Sequence, residues 1–253
     1  MPAFLVLLFL SAATATRYRV DVYTSNVDHA GSNGDVYLSL VGTRGRSTEI
    51  KFDKFFKDDI ERGNHDDYEL EAEGLGTMKC VNLRTSSGDT WVPEKIVISD
   101  PEGNTWYFYN AEAVRFSNDQ EDEGVEEAML CEQGRDTLTI RVETEDRKWA
   151  DSPDNGLRVV VYGSKARAGP GFLYTRGKKS FERGQVDEFV FPGMRDVGRV
   201  ERIELSVLGE DAWLFRTVEV IGHEDSYTFE NESTVWMSTS PDDGEPELIL
   251  NRA

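Results

Sequence analysis

Basic residues are in short supply in this chain: 28 Lys and Arg stand against 48 Asp and Glu, leaving a formal net charge of −20. That balance argues against nucleic acid as a partner and against direct electrostatic attraction to anionic lipid. Divalent cations are the natural counter-charge, although most of these carboxylates serve only to keep the chain soluble. Histidine is scarcer still, with His29, His65 and His223 alone. No H-E-x-x-H, G-x-S-x-G or P-loop pattern occurs, so zinc hydrolysis, the nucleophile elbow and phosphate cradling lack their usual signatures. The expectation is a protein without catalytic residues.

Long apolar runs are missing too, apart from Phe4 to Leu10 near the start. That run falls short of the ~20 residues that span a bilayer. Ala13-Thr14-Ala15 follows with small-x-small spacing, so residues 1–15 are predicted to be a cleaved secretory signal, the terminal amine standing in for the absent Lys or Arg. The expected mature chain is soluble, secreted and without a transmembrane segment. Cysteine is limited to Cys80 and Cys131. Val81 and Leu83 point one way and Cys80 the other, which predicts the solvated face for Cys80. Cys131 falls in an acidic connector. Two exposed thiols in an oxidising compartment favour a bridge between them; a free pair or intermolecular pairing are the alternatives.

What the chain does have is a repeat. Glu61-Arg62-Gly63-Asn64-His65-Asp66-Asp67-Tyr68 returns 121 positions later as Glu182-Arg183-Gly184-Gln185-Val186-Asp187-Glu188-Phe189. Val36, Leu38, Leu40 and Gly42 match Leu157, Val159, Val161 and Gly163 at the same offset, and Asp89-Thr90-Trp91-Val92 meets Asp211-Ala212-Trp213-Leu214 at 122. Each copy is about 100 residues, the size of a domain with its own core. Short alternating segments such as Tyr18–Tyr23, Val36–Leu40, Tyr68–Glu71, Lys95–Ile98 and Thr105–Tyr109 are separated by polar or glycine-bearing loops, and no stretch holds a helical period. The second copy repeats the order, beginning at Leu138–Val142 and ending at Ser226–Phe229. The prediction is all-β, two antiparallel sandwiches in tandem over residues 17–116 and 137–238. Residues 117–136 read as a solvated, self-repelling linker and 239–253 as an acidic tail, in which Leu248-Ile249-Leu250 is either frayed or a short edge strand. Asn231-Glu232-Ser233 is an N-glycosylation sequon.

The repeated positions resemble a known family. Tyr18-x-Val20-x-Val22, the turn Gly31-Ser32-Asn33-Gly34-Asp35-Val36-Tyr37-Leu38, Phe55-Phe56 with Glu61-Arg62-Gly63 through Tyr68, and Trp91 through Ile98 are similar, in order, to the motifs of the PLAT domain (polycystin, lipoxygenase, alpha-toxin). The resemblance implies eight-stranded sandwiches of two four-stranded sheets. It also implies a module that binds a lipid or membrane surface, or a secreted or membrane-associated protein, often with calcium.

Hard divalent ions take several oxygen ligands from a flexible loop, and Asp28 to Asp35 offers them, with glycine letting carbonyls turn inward. The resemblance carries the calcium role to Gly31, Asn33, Asp35 and Asp89, with Asp28 as an addition; His29 stands where some relatives have an acid. In the second copy the candidates are Asp151, Asp154 and Asp211, with Ser152 in the place of Gly31 and Gly156 in that of Asp35. The competing reading is polar turn residues making Asx-type bonds, and it is favoured for the second copy. Asp66 and Asp187 are expected to fix turns by pairing with Arg62 and Arg183 rather than to act as acids. Trp91 and Trp213 share one register beside a strand and are expected to plug the cores. Phe172-Leu173-Tyr174 is expected to be a buried strand segment.

Overall fold

The computed structural model describes residues 15–53, 59–119, 124–151, 156–174, 179–209, 211–222 and 225–252. Residues 1–14 of the predicted signal segment, Phe55-Phe56, Asp154 and His223 lie outside the described residues. In the first copy the strands are β1 (Thr16–Thr24), β2 (Val36–Gly42), β3 (Ile50–Lys51), β4 (His65–Ala72), β5 (Met78–Thr85), β6 (Pro93–Ser99), β7 (Thr105–Tyr109) and β8 (Glu127–Cys131). In the second they are β9 (Asp136–Thr144), β10 (Leu157–Gly163), β11 (Arg167–Leu173), β12 (Val186–Met194), β13 (Val200–Val207), β14 (Phe215–Ile221), β15 (Ser226–Glu230) and β16 (Glu247–Asn251). They form sheets of order β4-β1-β6-β7 and β3-β2-β5-β8, then β12-β9-β14-β15 and β11-β10-β13-β16. The order repeats copy for copy, and all the strand pairs are antiparallel.

Alternation builds these sheets. Along β4, Asp66, Tyr68, Leu70 and Ala72 turn inward while His65, Asp67, Glu69 and Glu71 face water, because successive side chains of a strand point to opposite faces. The inward sets form two separate cores, one around Val20, Leu38, Leu83, Trp91, Ile96 and Phe108, the other around Ile140, Val159, Leu205, Trp213, Val218 and Phe229. Each fully buried Val, Leu or Ile contributes about 1.5–3 kcal/mol. Trp91 and Trp213 are 0% exposed, so the register they share is that of a core plug. Phe172 and Leu173 are buried in β11 as expected.

Two expectations are corrected. Residues 117–136 are not a solvated linker throughout: β8 pairs with β5 from Cys80↔Cys131 to Arg84↔Glu127, and Phe116 bridges Val125. The first sandwich therefore runs to Cys131, and four residues, 132–135, lead into β9. The acidic tail likewise supplies β16, paired to β13 from Arg202↔Asn251 to Ser206↔Glu247. Edge strands tolerate this charge because one face stays in water: Leu130 is buried while Glu127 and Met129 are exposed. The Cys80–Cys131 disulfide forms as a cross-strand pair, with Cys80 half-buried rather than fully on the solvated side.

The sandwiches meet along an edge. The Tyr109 hydroxyl of β7 donates to the Pro192 carbonyl of β12 at 2.8 Å, and its ring belongs to the second core. That burial pushes the phenol's pKa up. Tyr107 lies so close to Gly193 that a Cβ there would come within 2.9 Å of it, and Arg167 pairs with Glu112 at 2.8 Å. Thr228 and Glu230 flank Phe229 in the second copy where Tyr107 and Tyr109 flank Phe108 in the first. The apolar contact is thus written only on the side where the modules touch.

Candidate functional site

Three unusual turns recur in the two copies and shape one end of each sandwich. The non-glycine residues at positive φ fall into matched pairs: His29 (58°) with Trp149 (70°), Ile60 (55°) with Phe181 (63°), and Ala113 (50°) with Thr234 (49°). Bulky side chains rarely adopt this region, so the surroundings must hold them there. Ile60 and Phe181 are held by burial, at 1% exposure each, and by a carboxylate. The Ile60 N–H donates to Asp66 Oδ2 at 3.0 Å and the Phe181 N–H to Asp187 Oδ2 at 2.7 Å. Gln185 Nε2 completes the second turn by donating to Asp187 Oδ1 at 2.6 Å.

Asp66 and Asp187 thus fix turns, but through backbone amides rather than through Arg62 and Arg183. Those arginines pair with Asp28 and Asp146 instead. Replacing either aspartate with alanine strips a buried amide of its acceptor and should cost about 1–3 kcal/mol of stability, whereas asparagine, which keeps one oxygen, should cost less. Thermal melts of the four variants check this. Equal losses for alanine and asparagine would show that charge, not the amide bond, is what matters.

The loop of the first copy does meet the one before Trp91, as the resemblance implied. Asn33 N–H donates to Asp89 Oδ2 at 2.7 Å, and the Ser32 hydroxyl donates to the Asp89 carbonyl at 3.1 Å. Gly31 is required by close approach, since a Cβ there would lie 2.5 Å from the Arg62 nitrogen. The carboxylates, however, are turned to basic or amide partners. Asp28 pairs with Arg62, whose Nε also donates to the Asn26 carbonyl at 2.8 Å. Asp35 pairs with Lys51 at 2.7 Å, and that contact holds its pKa below the ordinary carboxylate value. Among the described residues no three His, Cys, Asp or Glu side chains are grouped to hold a metal ion. As arranged, the described donors of this loop do not fit a calcium ion.

In the second copy the turn is offset by 120 positions, not 121. Ala30 and Ala150 are both 0% exposed. Each alanine carbonyl accepts an equivalent N–H, from Val92 and from Leu214, and each alanine N–H closes the same turn, onto Val27 and Arg147. Asp151 therefore stands in the place of Gly31, and Lys148 in that of Asp28. Asp151 is exposed, Asp211 is engaged with a partner, and among the described residues these two are not grouped with a third metal-ligating side chain.

Asn231 is held as Asn110 is. The Asn110 amide donates to the Pro93 and Val114 carbonyls and accepts the Val114 N–H. Asn231 does the same with Phe215 and Val235, at 3.2, 2.9 and 2.9 Å. At 8% exposure, with both amide hydrogens committed, its side chain is a turn clamp in the folded protein, and a glycan there would require that clamp to open.

Sequence reasoning missed the most exposed large apolar side chain among the described residues. Trp149 is 72% exposed at the apex of its turn, Lys148 Nζ lies 4.6 Å from its ring centroid, and Arg147 lies 5.9 Å over the half-buried Trp236. The signal was present in Arg147-Lys148-Trp149, but aligning Trp149 one position out hid that it stands where the first copy has His29.

A family model described as PLAT/LH2 domain matches residues 18–125 and again 138–251. The chain is 26% identical over 257 residues to lipoxygenase homology domain-containing protein 1 of Mus musculus, and 25% identical to that of Homo sapiens. Each alignment covers 92% of this chain but 12% of the relative, so the chain spans about an eighth of their length. It is 28% identical over 98 residues, 36% of this chain and 9% of the relative, to the allene oxide synthase-lipoxygenase protein of Plexaura homomalla.

Proposed function

Because this chain belongs to the PLAT/LH2 domain family, with one copy of the domain in each sandwich, we propose that it is a non-catalytic recognition protein whose loop end docks on a lipid or membrane surface. The observation that carries this reading is Trp149, an indole 72% exposed on a tight turn. Indole favours the membrane–water interface, and withdrawing a side chain of that size from water is worth about 2–3 kcal/mol. The other matched features of this end, the Asp187 turn and the Asn231 clamp, fix their own turns through backbone groups.

Secretion belongs to the same proposal. The Cys80–Cys131 disulfide supports it, since such bridges persist in oxidising compartments, and so does the apolar run from Phe4 to Leu10. Calcium enters the resemblance, but the described carboxylates are turned to Arg62, Lys51 and Asn33, and no step of the docking is assigned to it.

Co-sedimentation with phosphatidylcholine and phosphatidylserine vesicles, each with calcium and with chelator, tests the reading. The expected result is sedimentation accompanied by a blue shift of tryptophan emission. A chain that stays in the supernatant under all four conditions is not a lipid-docking protein.

A further inference from the structure

An edge strand leaves a row of N–H and C=O groups open to another chain, and all but one of the sheet edges here are blunted. β3 is two residues long and carries Lys51. β4 turns Asp67, Glu69 and Glu71 to water. β7 is met by the second sandwich through Tyr109 and Pro192. Beside β8, Met129 and Cys131 share a cavity of about 250 Å³ with Arg167, Gly169 and Arg195 of the second sandwich. β11 and β12 are broken in register, and β12 also holds Glu188 between its exposed valines. β15 turns Thr228 and Glu230 outward. The exception is β16. Its centre, Leu248-Ile249-Leu250, carries no charge; Ile249 is 52% exposed, and both leucines stay half-buried although they pack against the core. The Val207 N–H donates to the Pro246 carbonyl and the Arg252 N–H to the Glu201 carbonyl, so the even-numbered residues bond β13. By the period of two, the N–H and C=O of Glu247, Ile249 and Asn251 face outward, and among the described residues no strand pairs with them.

We propose that β16 is a self-docking edge, on which a second copy of this chain pairs antiparallel about Ile249 and joins two sheets into one. The register is self-complementary. Ile249 meets Ile249 on the two-fold axis, Leu248 meets Leu250, and Glu247 meets Asn251 rather than another acid. Every outward N–H and C=O of Glu247, Ile249 and Asn251 then finds a partner across the junction. Like charges opposite one another would be destabilising, and this register sets none together along the strand. Head-to-tail growth through the same side does not fit. The first sandwich receives the second beside β7, through Tyr107 and Tyr109, whereas the matching positions beside β16 hold Thr228 and Glu230. The occupant that fits is therefore a second copy using the same strand, which closes as a symmetric pair. Antiparallel pairing points the loop ends of the two copies in opposite directions. A junction of one short strand is small, and each copy carries −20, so the pair is a weak, reversible one. It stands independently of lipid docking.

Sedimentation velocity of the full chain over a concentration series tests this. A monomer–dimer equilibrium is expected, tightened by added salt because screening relieves the repulsion between two acidic copies. Ile249→Pro removes an N–H that β13 does not use, and edge strands accept proline. Self-association should weaken by about ten-fold or more, with the melting temperature unchanged. Ile249→Lys, which sets two ammonium groups opposite each other, should act the same way. Oxidation of the Ile249→Cys variant should give a covalent dimer, because paired Cα atoms about 5.5 Å apart suit a disulfide. Leu248→Cys, which would meet Leu250, should not cross-link. A chain that stays monomeric at every concentration overturns the inference. So does a dimer indifferent to both Ile249→Pro and Ile249→Lys, cross-linking through Leu248→Cys as readily as through Ile249→Cys, or a polymer that grows without closing.

Discussion

Trp213→Ala is expected to destabilise the second sandwich by about 3–5 kcal/mol, and Trp91→Ala the first by a similar amount. Each indole is 0% exposed. Trp213 stacks on Phe215 at 5.0 Å and meets Phe181 edge-on at 5.6 Å; Trp91 meets Phe52 and Phe116 at 6.0 and 5.7 Å. Truncation would leave a cavity among aromatic rings that cannot collapse to fill it. It would also orphan a buried hydroxyl, because each indole N–H donates to a threonine: Trp91 to Thr24 at 3.1 Å and Trp213 to Thr144 at 3.2 Å. Marginal stabilities of about 5–15 kcal/mol make such a loss a large fraction of the whole. Urea unfolding of both variants checks it. A change below about 1 kcal/mol would mean that the rings are not sealed from water.

Breaking the disulfide should act on the first sandwich alone. The bridge closes a loop with a sequence separation of 51, which in the chain-entropy picture is worth about 4 kcal/mol and in practice about 2–4. The second sandwich has Arg202 opposite Asn251 at the corresponding place and manages without a bridge. The physical difference lies in what each edge strand brings: Leu248 and Leu250 pack against the second core, whereas β8 offers Leu130 and the partly buried Ala128. Cys80→Ser with Cys131→Ser is thus expected to lower the first transition and leave the second near its original midpoint. Hydrogen exchange should show amide protection lost first along β8. Equal loss in both sandwiches would contradict the confinement.

Several elements were legible in the sequence for definable reasons. Alternation in Tyr18–Tyr23 and Lys95–Ile98 reports a strand with one dry face, and that signal is local. The repeat exposed the duplication, and the shared place of Trp91 and Trp213 exposed their burial. β8 and β16 were obscured because they start on acids, Glu127 and Glu247, follow acidic approaches at Glu126 and Glu245, and hold few apolar residues, a composition that also describes a solvated linker. The loop carboxylates were harder still. Asp28, Asp35 and Asp89 look alike as calcium ligands in one dimension. Only folding brings Arg62, Lys51 and the Asn33 amide against them.

The sequence by itself therefore determined the all-strand class, the two copies and the hydrophobic faces, because a period of two and a repeat of 121 are properties of neighbours along the chain. The tertiary structure decided which charges are already matched and which side chain is left in the open. Asp66 and Asp187 turned out to hold a strained backbone, Asn231 to clamp a turn, and Trp149 with Lys148 to stand at an exposed apex. The partners that settle these roles arrive from strands and loops remote in sequence, so their neighbourhoods exist only once the chain has closed on itself.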